Sequence, residues 1–178
     1  MLTSILSVLI YLFIIVIFIL IYLWSSYNQL IKKKNQVKTD FSDITIQLKR
    51  KADLVDRLVD LTKDYATHEK GTFEGVAKAR TTLNSSKGIV ETVKAENALS
   101  QTLRSLLMVV EENPKLQANE NFLALREDLK SIENLIAEYR EGYNRTVQDY
   151  NNTVQTFPKL LVANLFHFYP EELFALSE

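Results

Sequence analysis

The stretch ILSVLIYLFIIVIFILIYLW, Ile5 to Trp24, runs for twenty residues without a charge and limits this chain more than any other feature. Backbone amides cannot go unpaired in hydrocarbon, and about 20 apolar residues is the length at which a helix crosses about 30 Å of lipid. Apart from Thr3, Ser4 and Ser7, every residue up to Trp24 is apolar, and the first charge is Lys32. A cleaved signal peptide would show a basic start, a shorter apolar core and small residues at a cleavage site. MLTS has no Lys or Arg and the run ends in Leu23-Trp24, so a retained span is expected, with residues 5–24 in the lipid bilayer. Lys32, Lys33 and Lys34 follow it and nothing basic precedes it. Basic residues beside a span stay on the cytoplasmic side. The expected location is therefore the cell membrane, single-pass, N-terminus outside and helical domain cytoplasmic.

The rest of the chain reads as helix. From Ser25 to Ala66 there is neither Gly nor Pro, and Val37, Phe41, Ile44, Leu48, Ala52, Val55 and Leu58 step mainly by three and four. That is one face of a long helix continuous with the span. THEKGT (67–72) bends or breaks it. A second helix carries Phe73, Val76, Ala79 and Leu83 and stops at NSSKG (84–88). A third runs from Ile89 to Val110 and ends at Asn113-Pro114, because the residue before proline disfavours the helical region. Asn119 is a candidate N-cap for a fourth, in which Phe122, Leu129, Ile136, Tyr143, Tyr150 and Phe157 belong to one long apolar stripe. In the tail, FPKLLVANLFHFYPEELFALSE, Pro158 and Pro170 stand where first helical positions are expected. Four glycines, three prolines and no cysteine leave little for tight turns, strands or disulfides. The predicted fold is all-α: a single N-terminal transmembrane helix followed by an elongated antiparallel four-helix-type bundle. Its predicted division is residues 1–26 as anchor, 27–157 as helical bundle and 158–178 as an apolar C-terminal helical tail.

Charge and motifs narrow the function. The net charge of −1, from 21 basic and 22 acidic residues, sets up no field that would draw nucleic acid. No phosphate-binding glycine loop and no nucleophile elbow occurs. No enzymatic activity and no cofactor are expected. Asp53, Asp56, Asp60 and Asp64 share a helical face and could meet a cation or a basic partner, but Lys49, Arg57 and Lys63 beside them suit a solvated face better. His68-Glu69 has no second histidine at helical spacing, as a zinc helix would. The pairs Tyr143-Asn144 and Tyr150-Asn151 lie seven residues apart and are expected to set register between packed helices, since asparagine inside a helix is costly unless it bonds to a neighbour. The tail residues Leu165, Phe166 and Phe168 are too apolar for water and are expected against the bundle, a neighbouring subunit or the membrane surface, with a protein partner surface favoured over lipid.

YNQLIKKKNQV (27–37), IQLKRKADLVDRLVD (46–60), YATHEKGTFEGVAKAR (65–80) and YREGYNRTVQDYNNTVQTFPKLLVA (139–163) together resemble the LemA family of bacterial membrane-anchored helical proteins. The resemblance covers nearly the whole chain in order. It departs at Asp56, where the family usually has proline, and at Asn164, near which glycine tends to stand. The resemblance implies one N-terminal span and a four-helix-type domain, and it supplies no catalytic residues. The expected function is a non-enzymatic membrane scaffold or adaptor of the cell envelope, self-associating as a homo-oligomer or docking other envelope proteins. The alternative is a membrane-remodelling or lipid-organising protein that uses its apolar tail.

Overall fold

The computed structural model describes residues 2–63, 65 and 69–175. Every regular element among them is α-helix: α1 (Leu2–Lys63), α2 (Lys70–Ser85), α3 (Gly88–Glu111), α4 (Pro114–Gln117), α5 (Glu120–Gln155) and α6 (Lys159–Leu165). The all-α expectation holds, and α1 is one unbroken helix.

The helix ends follow from local chemistry. Gly88, with φ 75, opens α3 in the left-handed region that a side chain resists. The Glu91 carboxylate reaches back to accept the Lys87 N–H at 2.8 Å. At the far end the Asn113 side chain accepts the Lys115 N–H at 3.2 Å, so Pro114 starts a new short helix instead of extending α3. Asn119 caps α5 as expected, accepting from the N–H groups of Asn121 at 2.9 Å and Phe122 at 3.3 Å. Along α5 the buried residues Phe122, Leu129, Ile136, Tyr143 and Tyr150 recur every seven positions, the spacing of a narrow packing seam. The helix stops at Gln155, which leaves Phe157 exposed beyond the end of its stripe.

The tail corrects the sequence reading. Among its described residues only Lys159–Leu165 is helical, and Pro170, expected to open a helix, opens none; Phe168 to Ala175 is irregular. Side chains of α5 occupy backbone groups there that a helix would have used.

The chain divides into two compact units. The first comprises Met1–Lys38 and Thr146–Glu171. Its core holds Leu30, Val37, Val147, Tyr150, Val154, Val162, Ala163 and Phe168, with Ser26 buried among the polar residues. The Tyr27 ring meets Phe166 and Phe168 edge-on at 4.8 and 5.8 Å. From Leu9 to Ile21 the apolar side chains of α1 stand exposed on all sides. Among the described residues α1 is the one helix long and apolar enough to cross a membrane.

The second unit comprises Thr39–Arg145 and Glu172–Glu178. Within it α1 and α5 run antiparallel: Phe41 faces Tyr143 at 6.0 Å, and Lys51 meets Glu133 ten residues earlier on α5 at 3.5 Å. α2 and α3 form an antiparallel hairpin in which Gly75 leaves a Cβ-sized space 3.7 Å from Thr102. Ile44, Leu48, Val55 and Leu58 of α1, Val76 of α2 and Leu99 and Leu106 of α3 are fully or almost fully buried here.

Candidate functional site

An asparagine amide carries one acceptor and two donors in a plane, so it can pair with the N–H and C=O of a single residue whose backbone presents both on one side. α5 does this twice. In the first unit the Asn151 amide donates to the Glu171 carbonyl and accepts the Glu171 N–H, both at 2.8 Å. In the second unit Asn144 donates to the Phe174 carbonyl at 3.2 Å and accepts the Phe174 N–H at 2.7 Å. The Tyr143 hydroxyl donates to the Glu172 carbonyl at 2.8 Å. Each clamp satisfies main-chain groups as the edge of a sheet would, without regard to the side chain at the clamped residue. The two tyrosine–asparagine pairs were expected to set register between helices; the structure turns both asparagines to the tail instead. Irregular backbone has no helical partners for its amides, so it takes the side-chain amides that a packed helix would leave alone.

Tyr150 has no such bond. Its ring is fully buried and its hydroxyl lacks a partner. Burial raises its pKa above the ordinary 10.0, and the nearby Glu171 carboxylate pushes it further the same way.

A buried ionic cluster in the second unit was not anticipated. Glu96 on α3 lies 3.4 Å from the Lys51 ammonium on α1 and 2.8 Å from the Arg140 guanidinium on α5. Lys51 and Glu96 are nearly inaccessible, with 2% and 4% exposure. Lys51 also donates to the Ser100 hydroxyl at 2.7 Å. Glu96 Oε2 and the Arg140 nitrogens are close enough to attract, yet are not aligned as a hydrogen bond. Phe174, held by Asn144, lays its ring 4.7 Å from the guanidinium carbon and roofs the cluster. A signal was available: Lys51 lies between Leu48 and Val55, Glu96 between Thr92 and Leu99, and Arg140 between Ile136 and Tyr143, each on its helix's buried stripe.

The LemA family model matches residues 40–178. This chain belongs to the LemA family. No curated protein matches it. The match begins after the apolar run, so it covers the clamps, the cluster and the tail of this LemA-family chain. Where proline is usual in the family, Asp56 continues α1 and pairs with Arg80 of α2 at 2.7 Å. Asn164 lies inside α6, and the left-handed residue that closes this helix is His167, with φ 57.

The aspartate row is not one site. Asp56 pairs with Arg80, and Asp53 lies 4.0 Å from the same guanidinium. Asp60 pairs with Lys63 at 3.0 Å on an exposed face. Asp64 and His68 lie outside the described residues. No group of three or more His, Cys, Asp or Glu among the described residues could hold a metal ion. The three tail residues part company: Phe168 is buried, whereas Leu165 and Phe166 stay 61% and 45% exposed.

Proposed function

We propose that this LemA-family chain is a single-pass protein of the bacterial cell membrane, N-terminus outside and helical domain cytoplasmic. In this reading it acts as a non-enzymatic scaffold or adaptor by helix-mediated protein–protein association, with no nucleic acid among its partners. The asparagine clamps carry the reading: the most conspicuous polar side chains of α5 grip a chain segment by its main chain, which is how proteins hold peptides without acting on them. The exposed apolar length of α1 supports residues 5–24 as the contact with the bilayer. The seam on α5 is covered by the chain itself, so self-association draws support from the apolar side chains left outside, Met108 at 64% and Leu123 at 51% exposure.

In-membrane photo-crosslinking tests this. A photoreactive residue at Leu123 or Met108 of the full chain is expected to give a dimer adduct, and light scattering in detergent an oligomer. A chain that is monomeric in detergent and yields no protein adduct from either position overturns the scaffold reading.

A further inference from the structure

α6 is apolar on both sides. Val162 and Ala163 are buried at 1% and 0% exposure, while Leu161 and Leu165, four residues apart on another face, are each 61% exposed. Phe157 just before it and Phe166 and Tyr169 just after it are also exposed. With Lys159 and Asn164 its only polar residues, α6 carries apolar side chains over more than the one face it buries. The protein covers one side of α6, so the other requires a second apolar phase.

The position of α6 within the first unit selects that phase. Phe166 packs edge-on against Tyr27 at 4.8 Å, and Tyr27 follows Trp24 by only three residues of continuous helix, a rise of about 4.5 Å. Aromatic residues such as Tyr22, Trp24 and Tyr27 at the end of a span belong to the headgroup level, and the interfacial zone is about 5–7 Å deep on each side of the hydrocarbon. Phe166 therefore stands within that zone, and α6 adjoins it. Charge agrees: Lys33 and Lys34 in the same unit are paired with Asp149 and Glu171, whereas Lys32, Lys38 and Lys159 form no ion pair among the described residues.

We propose that the outer face of α6, with Phe157, Leu161, Leu165, Phe166 and Tyr169, lies in the interfacial layer of the same bilayer that α1 spans. It acts as a short monotopic foot beside the anchor. This inference rests on the reading of residues 5–24 as a span.

The test is tryptophan fluorescence in vesicles of phosphatidylcholine and phosphatidylglycerol. Trp24 is the sole tryptophan of the chain, so the unaltered protein reports on the span. Trp24→Phe combined with Leu161→Trp, and separately with Leu165→Trp, reports on α6, and Trp24→Phe with Ile46→Trp, at an exposed position of the second unit, serves as a control. Lipids brominated near the headgroup are expected to quench the α6 tryptophans about as strongly as Trp24. Lipids brominated near the chain terminus should quench them less, and aqueous acrylamide several-fold less than it quenches the control. An α6 tryptophan quenched by acrylamide and blind to bromolipid overturns the proposal, because that face is then in water. One shielded from both overturns it too, since a second copy or another protein then covers the face. If Trp24 itself escapes bromolipid, the span reading fails, and the foot with it; Trp24 quenched with α6 unquenched sinks only the foot.

Discussion

His167 closes α6 with a left-handed backbone, φ 57, as the hydrogen bonds around it require. The Phe168 N–H reaches the Ala163 carbonyl at 2.9 Å and the His167 N–H the Asn164 carbonyl at 3.4 Å, the paired return bonds of a helix end that usually has glycine at this position. A Cβ in that region costs roughly 1–2 kcal/mol, and the exposed imidazole gives back only a contact with Tyr169 at 3.3 Å. His167→Gly is therefore expected to stabilise the full chain by about 1 kcal/mol, seen as a rise of a few degrees in a thermal melt in detergent; no rise would mean the histidine ring holds something else. Tyr150 gives a second residue-scale test. Its pKa is raised in the folded chain by burial and then by Glu171, so the folded state holds the phenolic proton more tightly than the unfolded one. That stabilisation is complete below the unfolded value near 10 and is lost as pH rises through the folded value. Tyr150→Phe should leave stability at neutral pH unchanged or slightly higher, because the hydroxyl has no partner to lose. It should also soften the fall in melting temperature above pH 10 and remove one late-titrating tyrosine from an ultraviolet titration.

At the scale of elements, the buried Lys51–Glu96–Arg140 cluster ties α1, α3 and α5 to one another. A buried Lys51 and a partly buried Arg140 left with only the half-exposed Glu133 carboxylate near Lys51 is the costly state. Glu96→Gln should therefore destabilise by about 3–5 kcal/mol, whereas Lys51→Met, Glu96→Leu and Arg140→Met made together should be neutral or stabilising. Chemical denaturation of the full chain measures both, and a mild Glu96→Gln phenotype would mean that water reaches the cluster. The clamps make a parallel case for the tail. Asn151→Ala removes two hydrogen bonds to Glu171, each contributing about 0.5–1.5 kcal/mol net, so limited proteolysis should cut near Glu171 sooner than in the unaltered chain. Unchanged cutting would mean that Phe168 and Val162 hold the segment alone. Helix limits were legible because their causes are local: Asn119, Asn113-Pro114 and the glycine-poor run through α1 each act within a few residues. The clamps were not, because Asn144 and Asn151 bond to irregular backbone thirty and twenty residues downstream, and such backbone has no periodicity to read. The cluster was half-legible: three charges sit on three apolar stripes, but a charge on a stripe does not say which charge on another helix meets it.

At the scale of the whole molecule, the question is which side of the membrane the helical domain occupies. Topology is decided while the chain inserts, before α5 and the tail exist, so the bare lysines count at that moment and not the ion pairs they later make. Lys33 ends up paired with Asp149, and Lys34 with Glu171 at 3.7 Å, both on partly exposed ground where such pairs contribute about 0–1 kcal/mol. Replacing Lys32, Lys33 and Lys34 by Gln should therefore cost the fold little while removing the charge asymmetry on which the proposed cytoplasmic orientation rests. A reporter active only in the cytoplasm, fused after the last residue, is expected to be active on the unaltered chain. With the three glutamines its activity should fall, and a reporter active only after export should gain. Thermal melts of the two proteins should differ by no more than a few degrees, which separates inverted insertion from misfolding. An unaltered chain whose C-terminal reporter works only when exported would overturn the orientation. Equal activity before and after the substitutions would mean that something other than these lysines sets it, with the apolar N-terminus the next segment to alter.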